Sequence, residues 1–443
     1  MSTEHSHNLA QPGELTVDAI LPKETRRFGD DAWFFDFGRS AFGTLQLTTD
    51  SPRAAKATLH LGEKLDANAR IDRDPPGCIR HRAIELHLPA GRLRQQITIP
   101  PDKRNTAPGA IRMPEHLFEV LPFRYAELVL HDKPDVKVSE VRQLAVFHPF
   151  DESASHFRCD DERLYRVWEL CKYSIKATSF CGIYVDGDRE RIPYEADAYI
   201  NQLSHYGVDA EYEMERFRQR YRKVLQSLHR VCFQEGRGFF VDGEGSCHAS
   251  LHANMLPAAL GLVPAGIEAS VMKHIRSRGM ACSVYGAQYL LEACYRLGDA
   301  DYALDLMTAG HDRGWLNMLR VGSTITMEAW DLRYKNNLDW NHAWGAAPAN
   351  IIPRFIVGVQ PAKPGFEEVL VAPQPGRLQT VEAKVPTPNG PVFVRIEPDV
   401  AAGRRVQIDS PAPVRLDRSG LSCHGLADTS TVALKAGRHV IIV

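Results

Sequence analysis

The stretch DERLYRVWELCKYSIKATSF, residues 161–180, marks the point where the pattern of the chain changes. Leu164, Val167, Trp168 and Cys171 recur at helical spacing and share one face, which predicts an amphipathic helix. Upstream the period is two. The runs WFFDFGRSAFGTLQLTT (33–49), KATLHLGE (56–63) and VKVSEVRQLAVFH (136–148) alternate apolar and polar residues between Gly, Pro and Asp turns. Strands repeated at such short spacing predict a β-sandwich over 26–150. Downstream, a long helical pattern at 199–231 is followed by IEASVMKHIRS, SVYGAQYLLEACYRLG and DYALDLMTAG, which are Ala-rich and apolar on more than one face. Helices of that kind, joined by short loops, pack on both sides in a layered or toroidal array, here over 155–360. Past QPAKPGFEEVLVAPQPGRL the alternation returns. TVEAKVPTPNGPVFVRIEP, RRVQIDS, VRLDR and GRHVIIV, with PNG as a hairpin turn, predict a second, smaller β-sandwich over 361–443.

The composition removes several classes of function. Lys and Arg number 53 against 55 Asp and Glu, a formal charge of -2, so no basic field is present to hold nucleic acid. No apolar run reaches the roughly 20 residues of a membrane span. The nine cysteines are scattered without a CxxC pair, which reads as reduced thiols in a reducing compartment. The opening MSTEHSHNLAQPGELTV lacks a charged region followed by an apolar core, so no signal peptide and a cytoplasmic location are expected. His248 and His252 are four apart, as zinc ligands on a helix would be, but the glutamate of an HExxH pair is absent. Neither a metal nor an organic cofactor is expected.

Two acidic clusters carry the chemistry. YVDGDRERIPYEADAYI, residues 184–200, sets Asp186, Asp188, Glu190, Glu195 and Asp197 beside Arg189 and Arg191, in a turn leading into a helix at Pro193. A solvated charged turn is the plain reading of such a run. The sharper one is a sugar-cleaving site, because glycoside hydrolysis needs one protonated and one ionised carboxyl group. Crowded carboxylates and guanidiniums can drive their pKa values apart. The second cluster, GSTITMEAWDLRYKNNLDWNHAWG (322–345), holds Glu328, Asp331, Asp339 and His342 among Trp330, Trp340 and Trp344, half of the chain's six tryptophans. Indole rings suit the apolar faces of sugars, and carboxylates and imidazoles suit their hydroxyls.

With both clusters in view, the chain resembles the bacterial α-L-rhamnosidases of glycoside hydrolase family 78. DRERIPYEAD can be laid over that family's Arg-Asp-Glu-Arg-x-Gly-Trp-x-Gly-Asp motif, which implies Glu190 as general acid. MEAWD is similar to its Trp-Glu-x-Trp segment and implies Glu328 as general base, while Asn341, His342 and Gly345 match its Asn-His-x-x-Gly pattern. The resemblance implies an inverting hydrolase of terminal α-L-rhamnosyl groups, with carboxyls roughly 6.5–9.5 Å apart. It implies Asp186, Arg189, Asp197 and His342 on the substrate, and Trp330 or Trp344 behind the ring. It also implies a β-sandwich, an (α/α)6-barrel-like helical catalytic domain and a C-terminal β-sandwich. The helical zone is short for a full barrel, so a minimal or incomplete one is expected. The chain departs from the motif at Asp188 and Arg189, where the family has Arg and Asp, at Pro193-Tyr194 for Gly-Trp, at Tyr184 for an upstream Asp, and at Met327 for Trp. A carbohydrate-binding relative without turnover, and a hydrolase or lyase for another sugar such as a uronide, are the alternatives.

Overall fold

A computed structural model describes residues 15–443 apart from 104, 108–109, 132–134, 149, 151, 154, 182–184, 186, 193–226, 400–402 and 422–430. The chain forms two compact units. The first gathers Met1–Asp151, Lys172–Asn201 and Met318–Gly345, and the second Glu152–Cys171, Gln202–Asn317 and Ala346–Val443.

The first unit is built on one eight-stranded antiparallel sheet of β1 (Thr16–Ile20), β2 (Glu24–Phe28), β3 (Ala32–Ser51), β4 (Ala55–Gly62), β5 (His81–Leu88), β6 (Gly91–Gln96), β7 (Leu121–Leu130) and β8 (Lys137–Phe147). The main path runs β1-β8-β3-β7-β4-β5, with β2 and β6 added on β3. β1 and β2 escape sequence reading because most of their positions are exposed, which leaves no alternation to detect. β3 is the hub of the sheet: its first half pairs with β2 and β7, its second mainly with β8 and β6. The change of register falls between Asp36 and Ala41. Gly38 supplies the positive φ the bulge needs, its N–H donates to Asp36 Oδ1 (2.6 Å), and Arg124 grips both Asp36 oxygens (2.8 and 2.7 Å). Phe35, Phe37, Leu45, Leu47, Leu59, Leu61 and Leu128 are buried together in one core cluster.

The bulge also anchors the later segments of this unit. The Ser40 N–H donates to Thr324 Oγ1 (2.8 Å), and its carbonyl accepts from Tyr173 (2.7 Å). Phe42 of β3 stacks on Phe180 (centroids 3.7 Å apart, planes at 6°), in an apolar cluster with Val120, Val146 and Val185. Burying each ring contributes roughly 1.5–3 kcal/mol, which seats the chain just before the first acidic cluster.

Helix α1 (Glu162–Ala177), whose residues up to Cys171 belong to the second unit, follows the sequence expectation. Asp161 accepts from the Arg163 N–H (2.9 Å) at its start, and Leu164, Val167, Trp168 and Cys171 are all buried. A short hairpin of β10 (Phe233–Gln234) and β11 (Phe239–Phe240) precedes helices Leu251–Ala259, Glu268–Arg278, Val284–Arg296 and Ala300–Met307. Ser250, Ser283 and Asp299 cap three of these helices. The helical expectation over 199–231 lies largely outside the described residues, and 227–232 is helical. The C-terminal strands form two sheets, as expected. One is β12 (Val359–Pro361), β13 (Val369–Val371), β17 (Val414–Asp417) and β18 (Thr431–Leu434). The other runs β19 (Gly437–Ile442), β16 (Arg404–Ser410), β15 (Val392–Pro398), β14 (Val381–Val385) and β9 (His156–Cys159). Every second residue of β14, β15 and β16 is buried. Among the described residues, no helix is long and apolar enough to cross a membrane.

Candidate active site

Both acidic clusters fall in the first unit, and a single turn of helix, α2 (Gly187–Glu190), carries the first of them. Its centre is Asp188, a fully buried carboxylate. Arg80 reaches it from beside β5, with Nε 2.6 Å from Oδ2 and Nη2 donating to the Asp188 carbonyl (2.7 Å). Arg191 donates to Oδ1 through Nε and Nη2 (3.0 and 2.8 Å), and Asn105 donates to the same oxygen (3.1 Å). The Asp188 N–H donates to Asn341 Oδ1 (3.0 Å), which ties α2 to the second cluster. Arg191 sits in the left-handed region (φ 53), a conformation costing about 1–2 kcal/mol for a side-chain-bearing residue. Its bonds to Asp188, to Glu119 (2.7 Å) and to the Val120 carbonyl (3.0 Å) hold it there.

The second cluster folds back on itself. His342 N–H donates to the Thr326 carbonyl (2.8 Å), and Thr326 Oγ1 donates to the His342 carbonyl (2.7 Å). Glu328 N–H donates to the Asp339 carbonyl (2.9 Å), and the Asp339 N–H donates to Glu328 Oε2 (3.2 Å). Trp344 Nε1 closes the loop on the Glu328 carbonyl (3.0 Å). The carboxylate of Glu328 is thus aimed by backbone, and its other oxygen meets two cations, Lys335 and Arg189.

Arg189 joins the clusters. Its Nε lies 3.3 Å from Glu190 Oε1 and its Nη2 lies 3.3 Å from Glu328 Oε1. One guanidinium bridging both carboxylates keeps those oxygens within about 9 Å of each other. The environments differ: the Glu190 side chain is 35% exposed, and that of Glu328 only 1%, behind Lys335. His342 is buried and stacks on Trp344 (centroids 4.0 Å apart, planes at 28°). Trp344 is half-buried, whereas Trp330 is packed into the core at 2% exposure, so Trp344 is the more accessible of the two rings. Asp186 and Asp197 lie outside the described residues.

Sequence reading missed the supports of this site. Asp188 was legible as one carboxylate of the first cluster and as a departure from a motif, but its partner Arg80 is 108 positions away. Glu63, at the end of β4, accepts from the Arg80 N–H (2.8 Å) and from Asn341 Nδ2 (3.3 Å). Burial pushes its carboxyl up from 4.5 to about 7, against those hydrogen bonds. A raised carboxyl pKa favours the folded state below the unfolded value, so stability falls as pH rises from about 4.5 to about 7 and then levels. Over that window the loss from Glu63 is expected to approach about 3 kcal/mol. Urea unfolding at pH 5 and pH 8 should show a smaller drop in Glu63→Gln than in the wild type; equal drops would remove this residue from the balance.

Two family models cover the helical and C-terminal regions. The bacterial alpha-L-rhamnosidase 6 hairpin glycosidase domain matches residues 152–222 and 206–356, and the bacterial alpha-L-rhamnosidase C-terminal domain matches 358–416. The chain belongs to the bacterial alpha-L-rhamnosidase family. Solved rhamnosidases share its fold. The Aspergillus terreus enzyme superposes with a TM-score of 0.74 at 13% identity, over 97% of this chain and 64% of its own. The Dictyoglumus thermophilum enzyme gives 0.69 at 12%, over 97% and 63%. The Streptomyces avermitilis enzyme, complexed with L-rhamnose, gives 0.69 at 13%, over 97% and 54%. The chain therefore spans less than two thirds of each of these rhamnosidases. No curated protein matches it in sequence.

Proposed function

We propose that the chain is a glycoside hydrolase that removes terminal α-L-rhamnosyl groups with inversion, Glu190 acting as general acid and Glu328 as general base. The observation that supports this most is the single Arg189 guanidinium in contact with both carboxylates. Glu190, the more open of the two, donates its proton to the leaving oxygen as the glycosidic bond breaks. Glu328 takes a proton from the water that attacks the opposite face of the anomeric carbon. Asp186, Asp197 and His342 hold the hydroxyls, Arg189 orients both carboxylates, and Trp344 backs the apolar face of the ring.

The second reading is a carbohydrate-binding relative that does not turn substrate over, and the closure of Glu328 behind Lys335 favours it. An aryl α-L-rhamnoside assay run beside rhamnose titration calorimetry separates the two. Release of the aryl group at a rate far above background supports the hydrolase. Binding of rhamnose without release would select the second reading.

A further inference from the structure

Asp339 is fully buried, and neither of its carboxyl oxygens has a hydrogen-bond partner among the described residues. Its backbone, in contrast, is committed at both ends to Glu328. Its side chain lies directly against Gly187, the first residue of α2: a Cβ built there would fall 2.5 Å from Asp339 Oδ2. Gly187 has φ +50, so both its backbone and this contact call for glycine. The titratable and charged groups around Asp339 include Arg80, Glu328, Arg189, Asp188 and the Cys78 thiol. Arg80 is engaged by Asp188 and Asp102, and Arg189 by Glu190 and Glu328, so each cation already has carboxylates of its own. An ionised carboxyl without donors in such a place costs several kcal/mol. Burial accordingly pushes the Asp339 carboxyl well above the usual range.

We propose that Asp339 is a positioning residue, kept as an uncharged carboxylic acid, at the joint where the Glu328 segment seats on the Gly187 turn. It thereby sets the separation of Glu328 from Glu190. An ionised Asp339 would be pushed from Glu328 and Asp188 and would draw Arg80 and Arg189 away from their partners. This inference rests on the acid–base reading of those two glutamates.

Two variants and one spectrum test it. Asp339→Asn, uncharged and of the same shape, should keep kcat and KM on an aryl α-L-rhamnoside within about threefold of wild type. Asp339→Ala should lower kcat on the order of 100-fold with KM little changed, the effect of a small misplacement of reacting groups. The charge state has its own readout: the infrared difference between wild type and Asp339→Asn at pH 7 should contain the carbonyl stretch of a protonated carboxylic acid. That spectrum decides the matter even if no glycoside is turned over. A difference spectrum with only carboxylate bands overturns the proposal, and so does an Asp339→Asn variant as impaired as Asp339→Ala.

Discussion

Glu190→Gln and Glu328→Gln should each lower kcat on an aryl α-L-rhamnoside by roughly 10²–10⁴-fold, the usual share of a positioned acid or base. The two losses should differ in kind. A protonated Glu190 assists departure of the aglycone, so its removal should be severe with alkyl or weakly acidic phenol leaving groups and mild with a dinitrophenolate. Glu328 acts on water, whose attack is needed whatever departs, so its loss should be similar across leaving groups. The contacts of both residues sharpen the comparison. Glu328 accepts from Arg189 and Lys335 at one oxygen and from the Asp339 N–H at the other, so its amide variant keeps a single acceptor and turns an NH2 toward a donor; its folding is checked by urea unfolding. Wild-type rates in either variant would exclude that residue from the chemistry.

Asp188→Ala should destabilise the first unit by about 3–5 kcal/mol in urea unfolding. Arg80 and Arg191 are both buried, and Asp188 is the carboxylate they share. Removing it leaves two buried guanidiniums that the remaining partners, Asp102 and Glu119, only partly compensate. The Asp188 N–H bond to Asn341 should be disturbed as well, so the Glu190 turn loses its tie to the segment carrying His342. A loss below about 1 kcal/mol would mean that the two arginines are stabilised elsewhere.

The parts of this protein that were legible in its sequence are those with a period. Alternation of apolar and polar residue types announced β3, β4, β8 and the C-terminal strands, although β3 is buried along most of its length, and the 3.6-residue recurrence of Leu164, Val167, Trp168 and Cys171 announced α1. The PNG turn falls between β14 and β15, as its composition requires. Elements without a period were silent. β9 is a four-residue strand at the start of the presumed helical zone, yet it pairs with β14, more than two hundred positions later, because a sheet edge is completed in space and not in sequence. The site was half legible for a similar reason. A run of charges named Glu190 and Arg189, and a tryptophan-rich run named Glu328, but no local pattern can show that Arg189 touches both. Glu63 closes a stretch that read only as strand and Arg80 lies between two such stretches, and their role arises from the fold that brings them to Asp188 and Asn341. Trp330 shows the converse limit: an aromatic beside a carboxylate looks like a sugar platform until its burial is known.

The idea that Glu190 and Glu328 work on opposite faces of one sugar meets its sharpest check in proton NMR of the first sugar released from an aryl α-L-rhamnoside, recorded before mutarotation. An inverting pair delivers the β-anomer of L-rhamnose first, with the α-anomer growing in afterwards. If the α-anomer comes first, or no sugar is released, the two glutamates do not act as proposed.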